Sequence, residues 1–212
     1  MIYALAPRSN SPLSLGYYKV SLALVFVAVT GLASPSLVAE QSAVTAQELI
    51  KRLDLEGHVE GGFYRRTYEA TGQSRVPSET GERFSMTSIY YLLTAEGPVG
   101  HFHQNRSDIV HYFHLGDPIE YVLIHPNGEL ETVIMGPDPR EGHQLQLTVP
   151  GGVWKASRLT TGEQGYGLIS EAVSPGFDYR DMTLGVTSQL LATYPQHRSY
   201  IEPLSRESAP ER

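Results

Sequence analysis

Gly100-His101-Phe102-His103-Gln104-Asn105-Arg106-Ser107-Asp108 runs directly into Ile109-Val110-His111-Tyr112-Phe113-His114-Leu115-Gly116, and these 17 residues hold four of the chain's eight histidines. On a β-strand the side chains repeat every two residues, so the spacing of His101 and His103 predicts two imidazoles on one face. His111 opens a second alternation, and Gly116-Asp117-Pro118 closes it as a turn. His111 and His114 are three apart and face opposite sides. His111 keeps parity with His101 and His103 and is the one expected inside. Two imidazoles on one strand face suit a metal centre, or a proton-transfer pocket in a barrel mouth. The alternative is a pair of surface histidines on a polar face.

Outward from this stretch the same signals recur. Phe84 to Leu93 reads as a strong strand, and Glu96-Gly97-Pro98 turns it into the histidine strand. Downstream, Ile119 to His125 and Leu130 to Met135 flank the hairpin turn Pro126-Asn127-Gly128. Gln144 to Val149, Val153 to Leu159 and Gly167 to Val173 follow, each bounded by glycine or proline turns. A further strand follows Gly61-Gly62, and residues 70–82 read as a polar loop. Thr45 to Leu55 reads as a short helix, with Thr45 and Glu48 as a capping box. Ser188 to Tyr194 reads as a last helix, and the tail to Arg212 as polar and loose. Short strands at this density mean an all-β sandwich or barrel in one domain with short flanking helices.

The first 39 residues differ in kind. They carry Arg8 and Lys19, no acidic residue, and the apolar run Val20 to Leu32, the length of a signal-peptide core and short for a membrane span. Cleavage after Ala33 or Ala39 would export a mature chain without a stable span; an uncleaved anchor, or a mis-set start codon with a cytoplasmic protein, are the alternatives. The expected division is a leader over 1–39, the domain over 40–190 and a tail over 191–212. Without the leader, 14 basic residues face 23 acidic ones, a net charge of −9, which argues against nucleic acid as a partner. The absence of cysteine excludes disulfides and thiol chemistry and leaves only nitrogen and oxygen ligands for any metal.

The succession His58-x-Glu60-Gly61-Gly62, Thr87-x-Ile89-Tyr90-Tyr91-Leu92-Leu93 and His101-Phe102-His103 resembles a cupin. Gln146-x-x-Val149-Pro150-Gly151-Gly152-Val153-Trp154-Lys155-Ala156-Ser157 and Ser174-Pro175-Gly176-Phe177-Asp178-Tyr179 narrow the resemblance to the small cupin branch known as a domain of unknown function. It covers about residues 45–187 and implies a double-stranded β-helix jelly roll, paired into a homodimer, with a small-molecule pocket in the barrel mouth. A metal-binding cupin pairs its His-x-His with a Glu a few residues on and a His after the Pro-x-Gly of its second motif. Here His101 and His103 match, Asp108 offers the carboxylate, and Lys155 or its neighbour Trp154 holds the histidine position. A protonated lysine cannot ligate and repels a cation. The sequence therefore favours a metal-free pocket. A divalent transition metal on His101, His103 and Asp108 is the alternative.

For a metal-free pocket, His101 and His103 are the candidate catalytic bases, with Tyr64 supplying a hydroxyl. Glu60, Tyr91, His111, Gln146 and Lys155 are the candidate ligand-binding groups. Each has a plainer reading: Glu60 as a strand-end salt bridge, Tyr64 and Tyr91 as barrel core, Gln146 as ordinary solvent-face alternation. The resemblance extends to jelly rolls that epimerise nucleotide sugars, which suggests an isomerase or epimerase on a sugar-like or other small polar metabolite. A metal-dependent oxygenase or lyase and a non-catalytic ligand-binding module are the other two readings.

Overall fold

The computed structural model describes residues 44–208. The leader over residues 1–39 and the last four residues of the tail lie outside that range. Helix α1 (Ala46–Arg52) carries its capping box as read: Thr45 Oγ1 accepts from the Glu48 N–H, and Glu48 Oε2 accepts from the Thr45 N–H. Then come β1 (Glu56–Gly57), β2 (Phe63–Glu69), β3 (Val76–Ser78), β4 (Gly81–Arg83), β5 (Thr87–Thr94), β6 (Val99–Asn105) and β7 (Asp108–Gly116). The second half holds β8 (Ile119–Ile124), β9 (Leu130–Met135), β10 (Gln146–Val149), β11 (Trp154–Leu159), β12 (Tyr166–Ser174) and β13 (Met182–Leu184), closed by α2 (Thr187–Thr193) and α3 (Arg198–Leu204).

Eleven of these strands form two antiparallel sheets, one in the order β1-β2-β5-β12-β7-β10 and the other β13-β6-β11-β8-β9, the two halves of a jelly roll. Their inner faces interdigitate. Tyr91, Leu93, Leu147 and Ile169 of the first sheet pack on Ile119, Tyr121, Leu123 and Met135 of the second. Helices cover part of the outside. Leu49 and Leu55 of the α1 region lie on Leu92, Tyr166 and Leu168, while Leu190, Ile201 and Leu204 of α2 and α3 lie on Phe102, Val122, Ile124 and Ala156. Burial of one such large apolar side chain contributes about 1.5–3 kcal/mol. A strand buried on both faces loses its polar alternation, and β8 accordingly reads Tyr121-Val122-Leu123-Ile124.

Two stretches differ from the sequence reading. The tail is not loose: Ile201 and Leu204, three apart, share one face of α3 and seal the Phe102 cluster. Within residues 70–82 the chain forms the hairpin β3–β4. It is tied down by the Arg83 guanidinium, whose Nε and Nη2 donate to the Asp181 carboxylate at 2.6 and 3.0 Å. That partner lies 98 residues away, so local turn chemistry does not reveal it.

Candidate functional site

The barrel interior changes from apolar to polar along its axis, and the polar end carries the ionisable groups. The chain reaches it through His58-Val59-Glu60-Gly61-Gly62. Gly61 (φ +109°) and Gly62 (φ +67°) hold conformations costly for other residues. A Cβ at Gly61 would stand 2.1 Å from the Val99 carbonyl oxygen, and one at Gly62 would stand 2.6 Å from that of Leu92. The glycine pair therefore lets this segment lie directly on the sheet ends and turn Glu60 inward.

Glu60 Oε2 lies 3.2 Å from His103 Nε2 and 3.6 Å from His58 Nδ1. His103 Nδ1–H donates to the His101 carbonyl at 2.8 Å, which fixes the tautomer and leaves Nε2 as an acceptor. Burial, and then the charge of Glu171, push the Glu60 carboxyl up to about 8, although Lys155 pulls it down. Burial, helped by the Lys155 charge, holds His103 well below the usual imidazole range. Burial takes His58 down to about 4. At neutral pH the pair is thus a carboxylic acid donating to a neutral imidazole.

One layer deeper, Lys155 Nζ donates to His111 Nε2 at 2.7 Å and to Glu171 Oε1 at 3.3 Å. His111 Nδ1–H donates to the Leu147 carbonyl at 3.3 Å, and its ring stands edge-on to Tyr121 with centroids 5.0 Å apart. Burial raises the Glu171 carboxyl, but Lys155 and His111 outweigh it and hold the group well below the usual carboxylate range. Two carboxyl groups of one chamber are thus driven to opposite protonation states, the arrangement by which a site separates an acid from a base.

The chamber that meets solvent is lined by His58, Glu60, Tyr64, Arg66, Asn105 and Glu171, among others. It adjoins an outer cleft of about 240 Å³ between the β3–β4 hairpin and the segment Phe177–Tyr179, and both spaces share Arg66 and Phe177. Tyr64 stands at this junction. Its hydroxyl accepts from that of Tyr179 at 3.5 Å, and the His58 ring meets its own edge-on at 4.4 Å.

The structure brings together Glu60, Tyr64, Tyr91, His103, His111 and Lys155 of the residues singled out from sequence. Tyr91 is buried, and its hydroxyl donates to the Gly61 carbonyl at 2.9 Å, so it braces the Glu60 loop. Three others lie elsewhere. His101 does not share the face of His103, because β6 carries a bulge: His103 pairs with Lys155 and Gly100 with Ser157, three residues against two. Gly100 therefore takes the inward position, and the His101 imidazole instead has Arg206 and the Leu204 backbone as electrostatic neighbours, below its ordinary pKa through burial. The His101 backbone still serves the site, since its N–H donates to the Glu60 carbonyl at 2.7 Å. Gln146 pairs with Tyr112 on the outer face and is exposed, while its neighbour Leu147 pairs with His111 inside. Asp108 is exposed and accepts from the Gly151 N–H at 2.8 Å, which fixes the turn of the second motif.

The metal set His101, His103 and Asp108 is thereby dispersed. His103 Nε2 faces the Glu60 acid, and a lysine nitrogen takes His111 Nε2. Among the described residues no three His, Asp or Glu side chains converge to hold one ion. The donor set does not fit a metal centre. Glu171, Asn105 and Arg66 were not recognised from sequence. Glu171 had a readable signal, since it keeps inward parity with Ile169 and Val173 on an otherwise apolar face of β12.

A two-sheeted jelly roll that folds a glycine-braced acidic loop and a histidine strand into its own polar end is a cupin. The family model for the cupin superfamily branch Cupin_5 (DUF985) matches residues 47–185, and the chain belongs to that family. It is 40% identical over 149 residues to the uncharacterised protein YML079W of Saccharomyces cerevisiae, covering 65% of this chain and 73% of the yeast protein. Among solved structures, a hypothetical protein from Leishmania major superposes with a TM-score of 0.72 at 37% identity, covering 77% of this chain and all (100%) of that one. Protein SO0799 from Shewanella oneidensis superposes with a TM-score of 0.71 at 39% identity, covering 78% and 99% of the two chains.

Proposed function

We propose that this cupin is a metal-independent acid–base isomerase or epimerase acting on a small polar carbonyl metabolite held in the barrel mouth. One observation carries the reading: the Glu60 carboxyl is buried in the polar barrel end, 3.2 Å from His103 Nε2 and 3.6 Å from His58 Nδ1, and that burial pushes it up to about 8. A group that titrates near the working pH is suited to both taking and returning a proton. In its ionised form Glu60 takes the proton from the carbon next to the carbonyl, and the electron pair moves onto the carbonyl oxygen. Return of the proton to the opposite face of that carbon inverts it; return to the former carbonyl carbon, with the proton of the α-hydroxyl passing to the former carbonyl oxygen, isomerises an α-hydroxycarbonyl compound. His103 Nε2 faces the Glu60 carboxyl at 3.2 Å and orients it. Lys155 favours the ionised form of Glu60 and keeps Glu171 charged. Tyr64 and His58 form the aromatic wall at the entrance.

Solvent exchange tests this reading. Incubation with aldoses and ketoses in D₂O should place deuterium at the carbon next to the carbonyl, as read by proton NMR. The rate should climb with pH towards a plateau above about 8, and Glu60→Gln should abolish it. No deuterium in any compound that binds would leave a non-catalytic ligand-binding module. We further propose export of the protein, supported by the apolar run Val20 to Leu32, and pairing into a homodimer, supported by the cupin resemblance. Cell fractionation and light scattering test these two points.

A further inference from the structure

The inner chamber and the outer cleft are very unequal in size. The chamber encloses about 20 Å³, room for roughly one water molecule, while the cleft holds about 240 Å³. Even a small sugar exceeds the first, whereas the second has space for it. Contact between a metabolite and Glu60 therefore requires that something between the two spaces move, and Arg66 and Phe177 line both. Arg66 is tethered, since its Nη1 donates to Glu69 at 2.9 Å. The backbone at Phe177 is equally fixed. Its N–H donates to Thr87 Oγ1 at 2.9 Å, and the Gly176 N–H donates to the Phe84 carbonyl at 2.8 Å. A Cβ at Gly176 would stand 2.8 Å from Thr87 Cγ2, so the chain there is pressed onto β5. On the other side the Asp178 carboxylate caps the following turn by accepting from the Arg180 N–H at 2.9 Å.

The Phe177 ring is held less firmly than its backbone. It stands 5.8 Å from the Arg66 guanidinium, near the outer limit of a cation–π contact, and meets the Tyr179 ring edge-on at 5.0 Å. Tyr179 in turn is exposed and reaches Tyr64 through a hydroxyl contact of 3.5 Å. A fixed backbone that carries a loosely held aromatic side chain moves by rotation about χ1. The cleft can receive the ring: a cavity of about 150 Å³ accepts benzene, and the cleft is larger. The space the ring vacates then joins the chamber, whose lining includes Glu60, His58 and Glu171. We propose that Phe177 is an aromatic gate between the outer cleft, which serves as antechamber, and the Glu60 chamber, and that Tyr179 latches it shut. The gate rests on the placement of a metabolite beside Glu60 in the acid–base reading.

Acylation of imidazoles by diethyl pyrocarbonate, followed residue by residue with peptide mass spectrometry, tests the gate. The reagent is larger than the closed chamber, so it reaches His58 only when the gate opens. His114, exposed on β7, supplies the reference rate. Minor conformations are populated at about 0.1–10%, so His58 of the wild type should react roughly 10- to 1,000-fold more slowly than His114. Phe177→Ala should remove most of that gap and leave His114 unchanged. His111, buried one layer deeper beside Lys155, reports general loosening of the barrel. If it accelerates together with His58, or if Phe177→Ala fails to fold, Tyr179→Phe decides, since it keeps the ring and drops only the latching hydroxyl. A selective rise at His58 then upholds the gate, and no rise overturns it. The proposal is also overturned if wild-type His58 reacts as fast as His114, or if folded Phe177→Ala leaves His58 slow. Deuterium exchange with His58 labelling untouched by Phe177→Ala would keep the acid–base reading and remove the gate. Gated labelling without exchange into any compound that binds would do the reverse.

Discussion

Replacement of Glu60 by glutamine isolates the property on which the site depends. In the unfolded chain this carboxyl titrates near 4.5, and in the native protein burial moves it up to about 8. The native state therefore keeps a proton that the unfolded state sheds, and stability falls as pH rises through this window. Between pH 6 and pH 8 the loss is about 2 kcal/mol, at a limiting slope of about 1.4 kcal/mol per pH unit. Above about pH 8 the native group ionises as well and the slope vanishes. Glutamine is close in shape and does not titrate, so Glu60→Gln lacks this slope, and its stability relative to wild type should climb by about 2 kcal/mol over the interval. His58, moved down to about 4, stabilises the neutral protein and loses that contribution as pH falls from its ordinary 6.5. It is present in both proteins and drops out of the difference. Urea unfolding of both proteins at pH 6, 7 and 8 measures the effect. A difference that stays constant across the three would show that Glu60 is ionised at neutral pH and would remove the basis for its role.

Three other outcomes follow from the packing around the site. Lys155→Met leaves the buried Glu171 carboxylate without its cation and should cost about 3–5 kcal/mol in chemical denaturation, whereas Lys155→Met with Glu171→Gln should recover most of it. Gly100→Ala sets a Cβ 2.6 Å from the Tyr91 hydroxyl and 2.5 Å from Ser157 Oγ. It should preserve the far-ultraviolet circular dichroism while displacing the Tyr91 brace on the Glu60 loop, read as a fall in the pH dependence described for Glu60. Phe102→Ala, which empties a fully buried site under α2 and α3, should destabilise by about 3–5 kcal/mol with little change in that pH dependence.

The parts legible in the sequence and those hidden from it divide along a physical line. Alternation, turn residues and the Thr45–Glu48 capping box are local, and they located the strands of the barrel and α1. Interior placement of His111 followed from parity, because β7 keeps an unbroken register around it against β10, with Leu147 opposite His111. The same rule misplaced the His101 imidazole, since one extra residue in β6 relative to β11 resets the parity, and a bulge is a property of two paired strands. Gly100 marks the position: its Cβ would collide with Tyr91 and Ser157, so the absence of a side chain there is what lets β6 bulge and still close the barrel. The lysine that replaces a metal-ligating histidine argued against a metal from sequence alone, yet its partners were out of reach. Glu171 lies 16 residues further on, and His111 lies 44 residues back. Taken singly, an acidic residue in an apolar strand and a lysine after a glycine turn are costly oddities. Brought together, Lys155 compensates Glu171, and burial in the closed barrel end keeps the proton on Glu60 against the pull of the lysine charge. The unusual acid is thus a property of the assembled barrel end, with no counterpart in the Glu60 segment alone.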